Sequence, residues 1–557
     1  MSTRPPTSEA PRLLRPREWA ILAGITLLAA WLRLDQIGAQ LVADDEWHSL
    51  HAVRDQTLGW ILTHFGANDY CVPLTAFEWI LSRTIGLSEL GMRALPLAAG
   101  IAAVPVLALL LVRHVGPRSS LLFALLLAIS PLEVFYSRQA RPYEIVFVLP
   151  LVAVLAFERW WSGAGRRWGW LYLGCAVLSV WFHLVVAPFV LAPVGWALLP
   201  AVARRGRREQ SEVAQLGVLA VFGIVLVIGP PFLGDSGSLG GRAFGRAKDL
   251  PDALQCFELL AGSFRPLCDF VFGLALLMGL LVLRHGVRSL APWLVVSSLV
   301  QFALPLFARP AVLEDATVLV RYVLPVHGLV LLCAALGLAR IDHLVRKELP
   351  RLPREVTALC LVALGYAFGP LPWIHRHPNN WTNHQMYQAN YSRSFPSAYA
   401  RATLGKTSVP PIYADLAEEA RPGQKLLEVP WFQASTCMGY PYYQRVHGLS
   451  YLAGFVTPES EPLPEGELRA HDPRFRFANF AHVAGLDELR ARGVRFVLFH
   501  RERPLSLIDE GHADLRHVEG WIARYQELVG KPRYEDAGLC VFDLATQPGP
   551  GAQGGVR

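Results

Sequence analysis

The chain has 557 residues, 53% of them hydrophobic and only 17% charged, with a formal net charge of +7 and a mean hydropathy of +0.32. A soluble domain carries about 25% charged residues, so an ordinary soluble enzyme is excluded, as are a disordered chain and, with 8 cysteines in this length, a disulfide framework. The basic balance does not indicate nucleic acid, because Arg and Lys stand mostly between apolar runs, where they act as topology signals.

Residues 1–17 are rich in Pro and Arg and too long for the charged start of a signal peptide. The apolar run that follows has no small-residue cleavage site, so it is read as a retained helix. Runs of about 17–25 apolar residues cross a bilayer as helices, because lipid offers no partner to a bare backbone. Eleven are read, at roughly 18–34, 93–112, 119–135, 143–157, 168–182, 185–202, 213–232, 267–283, 289–307, 320–339 and 355–373. With residues 1–17 as a cytoplasmic tail, every inner turn is basic: Arg113 and Arg118, then Arg159, Arg166 and Arg167, then Arg204 to Arg208, then Arg284 and Arg288, then Arg340 to Arg354. That is the positive-inside pattern.

Residues 71–87 are apolar enough to span, but counting them would turn every basic loop outward. They are read as a helix at the outer interface, within a first outer loop over 35–92; a second outer loop covers 234–266. The spans form a membrane domain over 18–374. From 375 to 557 the chain is polar, with strands predicted at 425–429, 494–500 and 538–543 and a helix at 486–492, a pattern for a soluble α/β domain. An odd number of spans places it outside the cytoplasm. Cys256 and Cys268 share an outer loop and can pair, as can Cys437 with Cys540; Cys175, Cys333 and Cys360 lie in spans and read as buried thiols.

The chemistry-bearing residues collect at the outer ends of the spans. Asp44, Asp45 and Glu46 are adjacent just after the first span; three such carboxylates share a proton or recruit a cation, or else form a solvated acidic loop. Asp69 precedes the interfacial helix and either caps it or adds a carboxylate to the same cavity. Arg138 and Arg141 break the charge rule by standing outside, so they need an anion. A lipid phosphate suits the guanidinium fork, and Glu133 or Glu144 is the local substitute. Arg321 and Tyr322 open the tenth span from the same side, and His183 sits in an outer turn.

The acidic pair Asp45–Glu46 after the first span, a helix led by Pro73, the run S-P-x-x-x-x-Y-S-R-x-A-R-x-Y over 130–143 and R-Y-x-x-P over 321–325 together resemble the GT-C glycosyltransferases. The nearest likeness is to the protein mannosyltransferase group that includes the lipid A aminoarabinose transferase. The resemblance is best over 30–190. It implies a GT-C-like polytopic helical membrane protein of the bacterial cytoplasmic membrane, which moves a sugar from a polyprenyl-phosphate donor to a lipid, glycan or protein hydroxyl on the outer face. It also implies Asp45 as general base with Asp44 beside it, Glu46 as the residue that orients the base, and Arg138, Arg141 and Arg321 as holders of the donor phosphate, with Tyr143, Tyr322 and His183 around them. Leu184 stands where the family has a tyrosine after the histidine, and Cys71 and Val72 depart from its loop pattern. A divalent metal is left open; the implied donor makes a soluble nucleotide unnecessary, and no phosphate-cradling Gly-rich loop is read in the sequence. A transporter or flippase of lipid-linked sugars is the competing class, but it favours internal repeats and mid-membrane charges, and neither is legible here.

Overall fold

The computed structural model describes residues 14–35, 37, 46, 49, 52–53, 56–65, 71–203, 208–235, 249–263, 266–287, 289–310, 313, 316–348, 356–368, 371, 409–419, 421, 423–429, 446–447, 449–452, 460–461, 486–501 and 518–545. The chain divides into two compact units, one formed by 1–38 with 56–377 and the other by 39–55 with 378–557.

The first unit is helical. It contains α1 (Pro16–Leu34), α2 (Leu58–Thr63), α3 (Val72–Thr84), α4 (Glu89–Ile129), α5 (Pro131–Ser137), α6 (Tyr143–Trp161), α7 (Arg166–Phe182) and α8 (Ala187–Leu198). These are followed by α9 (Gln210–Gly234), α10 (Ala253–Ala261), α11 (Pro266–Gly286), α12 (Ala291–Ala308), α13 (Ala316–Tyr322), α14 (Leu324–Glu348) and α15 (Val356–Phe368). Among the described residues, five helical stretches are long and apolar enough to cross a membrane: Leu90–Ile129, Gln210–Gly234, Pro266–Gly286, Ala291–Ala308 and Leu324–Glu348. Large apolar side chains such as Phe222, Leu226, Phe270 and Phe307 are exposed on them, which a lipid solvent accepts and water does not. The protein is a membrane protein.

The first of those stretches is a hairpin. Gly116 takes φ 79°, a left-handed conformation that suits glycine, and Pro117 follows it. Ser120 Oγ donates to the Ala108 carbonyl at 2.6 Å, although twelve residues along a straight helix would separate them by about 18 Å. The second arm stops at Ile129, earlier than the expected 119–135 run, because Ser130 caps a new helix by accepting the Glu133 amide and Pro131 opens it.

Close packing depends on small residues. A Cβ on Gly100 would sit 2.6 Å from Ser137 Cβ and 2.9 Å from Arg33 Nε, and one on Gly279 or Gly337 would run into the backbone carbonyl of Cys333 or Ala275. The backbones of α11 and α14 therefore touch, as small-xxx-small interfaces in lipid allow.

Among the described residues the second unit carries a six-stranded sheet in the order β3-β2-β1-β4-β6-β5, built from β1 (Lys425–Val429), β2 (Ser450–Leu452), β3 (Ser460–Glu461), β4 (Val494–His500), β5 (Tyr534–Glu535) and β6 (Leu539–Asp543). Strands β3, β2, β1 and β4 are parallel, and β6 runs antiparallel to β4 and β5. On one face Leu427, Val429, Val497 and Phe499 pack with α17 (Val518–Leu528) through Ile522 and Tyr525. Glu428, buried in β1, is satisfied at both oxygens: Tyr413 of α16 (Ile412–Glu419) donates to Oε1 at 2.7 Å, and His500 Nε2 meets Oε2. A buried carboxylate persists only with such partners.

The cysteines correct two expectations. Cys268 and Cys540 are thiols, so neither the Cys256–Cys268 nor the Cys437–Cys540 bridge forms. Cys256 packs against Leu313, Leu319 and Val323, whereas Cys268 lines an apolar cavity beside Leu267 and Phe272. Cys540 lies in the sheet core, where burial pushes its thiol up to about 12; Cys437 falls outside the described residues. Cys360, expected to be buried, is exposed on α15.

Candidate functional site

The turn 138–142 joins α5 to α6 and carries the outward arginines. Arg138 is buried, and its Nη1 donates to the carbonyls of Leu32 at 3.2 Å, Arg33 at 3.4 Å and Asp35 at 2.8 Å. It caps the C-terminus of α1, where a helix presents unsatisfied carbonyls and negative dipole. Burial, then the charge of Arg93, lowers its pKa to about 9 against the opposing pull of Asp35, which leaves it charged at neutral pH. The local alternative, pairing with Glu133, is not what the structure shows: Glu133 Oε1 lies 2.5 Å from His327 Nδ1 of α14, while His327 Nε2 faces the Leu260 carbonyl at 3.1 Å.

Arg141 and Arg321 converge on one ring. The Arg141 guanidinium lies 5.6 Å from the centroid of Tyr143, and that of Arg321 lies 5.3 Å from the same centroid and 5.8 Å from that of Tyr322. Tyr143 begins α6 and is buried against Tyr136, which meets it edge-on at 5.0 Å. His183 completes the group, its ring 6.2 Å from Tyr143 and 6.4 Å from Tyr322. His183 Nδ1 accepts the Val185 amide at 3.3 Å, which puts the ring proton on Nε2 and fixes the turn Leu184–Val186 ahead of α8. Arg141, Arg321, Tyr322 and His183 are half-buried.

Two guanidinium groups near one ring repel each other while each is drawn to the ring quadrupole. An anion with several oxygens, held by both forks, relieves the repulsion. Chemically the arrangement gathers two guanidinium groups, an imidazole and two phenol rings, a set able to hold an anion.

Five of the expected residues, Arg141, Tyr143, His183, Arg321 and Tyr322, are thus brought together, and Arg138 is turned to the helix behind them. Glu46 is buried within the second unit. Asp44, Asp45 and Asp69 lie outside the described residues. Among the described residues no three His, Cys, Asp or Glu side chains form a metal-binding group. One participant escaped the sequence reading: Gln301, in the apolar helix α12, donates from Nε2 to the carbonyls of Val185 at 3.1 Å and Tyr322 at 2.7 Å. A lone amide inside an apolar run was its only signal.

No protein-family profile and no curated protein matches the chain. Solved structures do. ArnT from Cupriavidus metallidurans bound to undecaprenyl phosphate aligns with a TM-score of 0.56 at 13% identity, covering 96% of this chain and 100% of that one. Its apo state gives 0.55 at 12% identity, covering 96% and 99%. The arabinofuranosyltransferase AftD from Mycobacteria gives 0.52 at 14% identity, covering 96% of this chain and 42% of that one. The chain has the GT-C fold of these membrane proteins.

Proposed function

We propose that this protein is a membrane glycosyltransferase that takes a sugar from a polyprenyl-phosphate donor and gives it to a lipid, glycan or protein hydroxyl at the outer face of the bacterial cytoplasmic membrane. The observation that carries the reading is the convergence of Arg141 and Arg321 on Tyr143, a double cation at the ends of helices in a lipid-facing bundle. The solved neighbour that holds undecaprenyl phosphate supports the donor class.

In this reading eleven spans over 18–374 form the catalytic domain, 1–17 is the cytoplasmic tail and 375–557 is an extracytoplasmic α/β domain. Arg141 and Arg321 bind the donor phosphate, and Tyr143, Tyr322 and His183 shape their clamp. Arg138 acts from behind by fixing the end of α1, from which the acidic loop departs. Asp45 is the general base, with Glu46 orienting it and Asp44 and Asp69 adding negative charge nearby. The acceptor oxygen attacks the anomeric carbon, the bond from that carbon to the phosphate oxygen breaks, and the acceptor proton passes to Asp45. Polyprenyl phosphate leaves as an anion stabilised by the two guanidinium groups, where developing charge is best met by preorganised cations. Attack opposite the leaving phosphate inverts the anomeric centre.

The test is binding and turnover in lipid nanodiscs. Undecaprenyl phosphate is expected to bind the wild type and to lose about tenfold or more in affinity in Arg321→Ala and Arg141→Ala. Asp45→Asn is expected to retain that binding and lose about 10²–10⁴ in transfer rate. A wild type that ignores undecaprenyl phosphate sinks the donor assignment, and an Asp45→Asn variant with full transfer removes Asp45 from the mechanism.

A further inference from the structure

Two of the segments that border the cation pair share no helix. His183 stands at the turn before α8, and Arg321 and Tyr322 stand at the end of α13. The ring contact between them, His183 to Tyr322 at 6.4 Å, is soft, worth about as much as thermal energy to a few times it. Something stiffer has to set their spacing. In α12, Gln301 is fully buried, and a carboxamide nitrogen has two hydrogens. Both have a target: the Val185 carbonyl at 3.1 Å and the Tyr322 carbonyl at 2.7 Å. The reverse orientation would aim the amide oxygen at two carbonyl oxygens, so the assignment of Nε2 follows from the surroundings.

Neither carbonyl belongs to the body of a long helix. Val185 lies in the short 3-10 turn that begins two residues after His183's predecessor, Phe182, ends α7, and Tyr322 ends α13 just before the break at Val323. These are positions where backbone acceptors lack a helical partner. Burying an amide in an apolar membrane helix is costly unless its hydrogens are used, and here they are used on the two stretches of chain that carry His183 and the Arg321–Tyr322 pair.

We infer that Gln301 is a positioning residue: a two-pronged amide that ties the His183 turn to the Arg321–Tyr322 turn and so holds the second guanidinium over Tyr143. This rests on the proposed donor reading for its consequence in binding, while the tether itself is a statement about this chain alone.

Gln301→Met keeps an unbranched side chain of similar length and removes both donors. In nanodiscs holding the full chain, amide exchange is expected to speed up at Val185, Val186 and Val323 and to stay unchanged in α4 and α6. Exchange unchanged at all three amides overturns the tether. Undecaprenyl phosphate is the binding probe: Gln301→Met is expected to weaken it about fivefold to tenfold, the loss of one or two ordinary hydrogen bonds. In combination with Arg321→Ala it is expected to add little further loss, because both changes remove the same contact. Additive losses in that double-mutant cycle, or a Gln301→Met variant with wild-type affinity, overturn the positioning role. If the wild type itself fails to bind the probe, the donor reading falls and the exchange result alone decides the tether.

Discussion

Tyr143 is the residue on which the candidate site turns, because its ring rather than its hydroxyl faces the two guanidinium groups. Tyr143→Phe keeps the face and is expected to bind undecaprenyl phosphate within about twofold of wild type. Tyr143→Leu loses the face and is expected to bind about 3- to 30-fold more weakly, the span of one or two cation–π contacts. Equal losses in the two variants would move the role to the hydroxyl. In the second unit, His447 stacks on Tyr413 at 5.5 Å and accepts the Leu449 amide at 3.1 Å, and burial pushes its imidazole down to about 3. An unfolded imidazole takes a proton near its ordinary value of about 6.5. Between those values the unfolded chain binds more protons, so the His447 contribution is complete above about pH 6.5 and is lost as pH falls toward 3. The protection factors of the β1 and β4 amides, taken against the intrinsic exchange rate at each pH, are expected to fall from pH 7 to pH 4, and less steeply in His447→Leu; parallel slopes would show that another group drives it.

At the scale of elements, the hairpin in α4 and the close approach of α1, α4 and α5 decide where the arginine turn stands. Gly100 is the point of contact, with Ser137 Cβ 2.6 Å from where its own Cβ would be. Gly100→Val is expected to cost about 1–3 kcal/mol through overpacking, seen as a lower melting temperature in detergent, whereas Gly24→Ala, with open space around it, is expected to change nothing. A melting temperature equally unmoved by Gly100→Val would mean that the three helices part without penalty. The run over 130–143 was legible in sequence because Ser-Pro opens a helix in a recognisable way and misplaced arginines stand out against the charge rule. That Arg138 would cap α1 was not legible, since its three acceptors are backbone carbonyls about a hundred residues away, and carbonyls leave no mark in a sequence.

For the whole molecule, the basic loops predict a fixed orientation. Periplasmic alkaline phosphatase fused after residue 545 is expected to be active and the same reporter inserted in 162–165 inactive; the opposite result would invert the reading of every loop. The sequence alone established that the chain lives in lipid, where its helices run and where β1, β4 and β6 lie, because hydrophobic period and length are local properties. Its motif order was enough for the likeness to GT-C enzymes. Only the tertiary structure decided that Arg141 and Arg321 meet on Tyr143, that Glu133 pairs with His327, that Cys268 and Cys540 stay thiols and that Gln301 joins two turns. Each of those depends on which helix faces stack across long stretches of chain, and an apolar helix exposed to lipid on one side and to its neighbours on the other shows nearly the same residues to both.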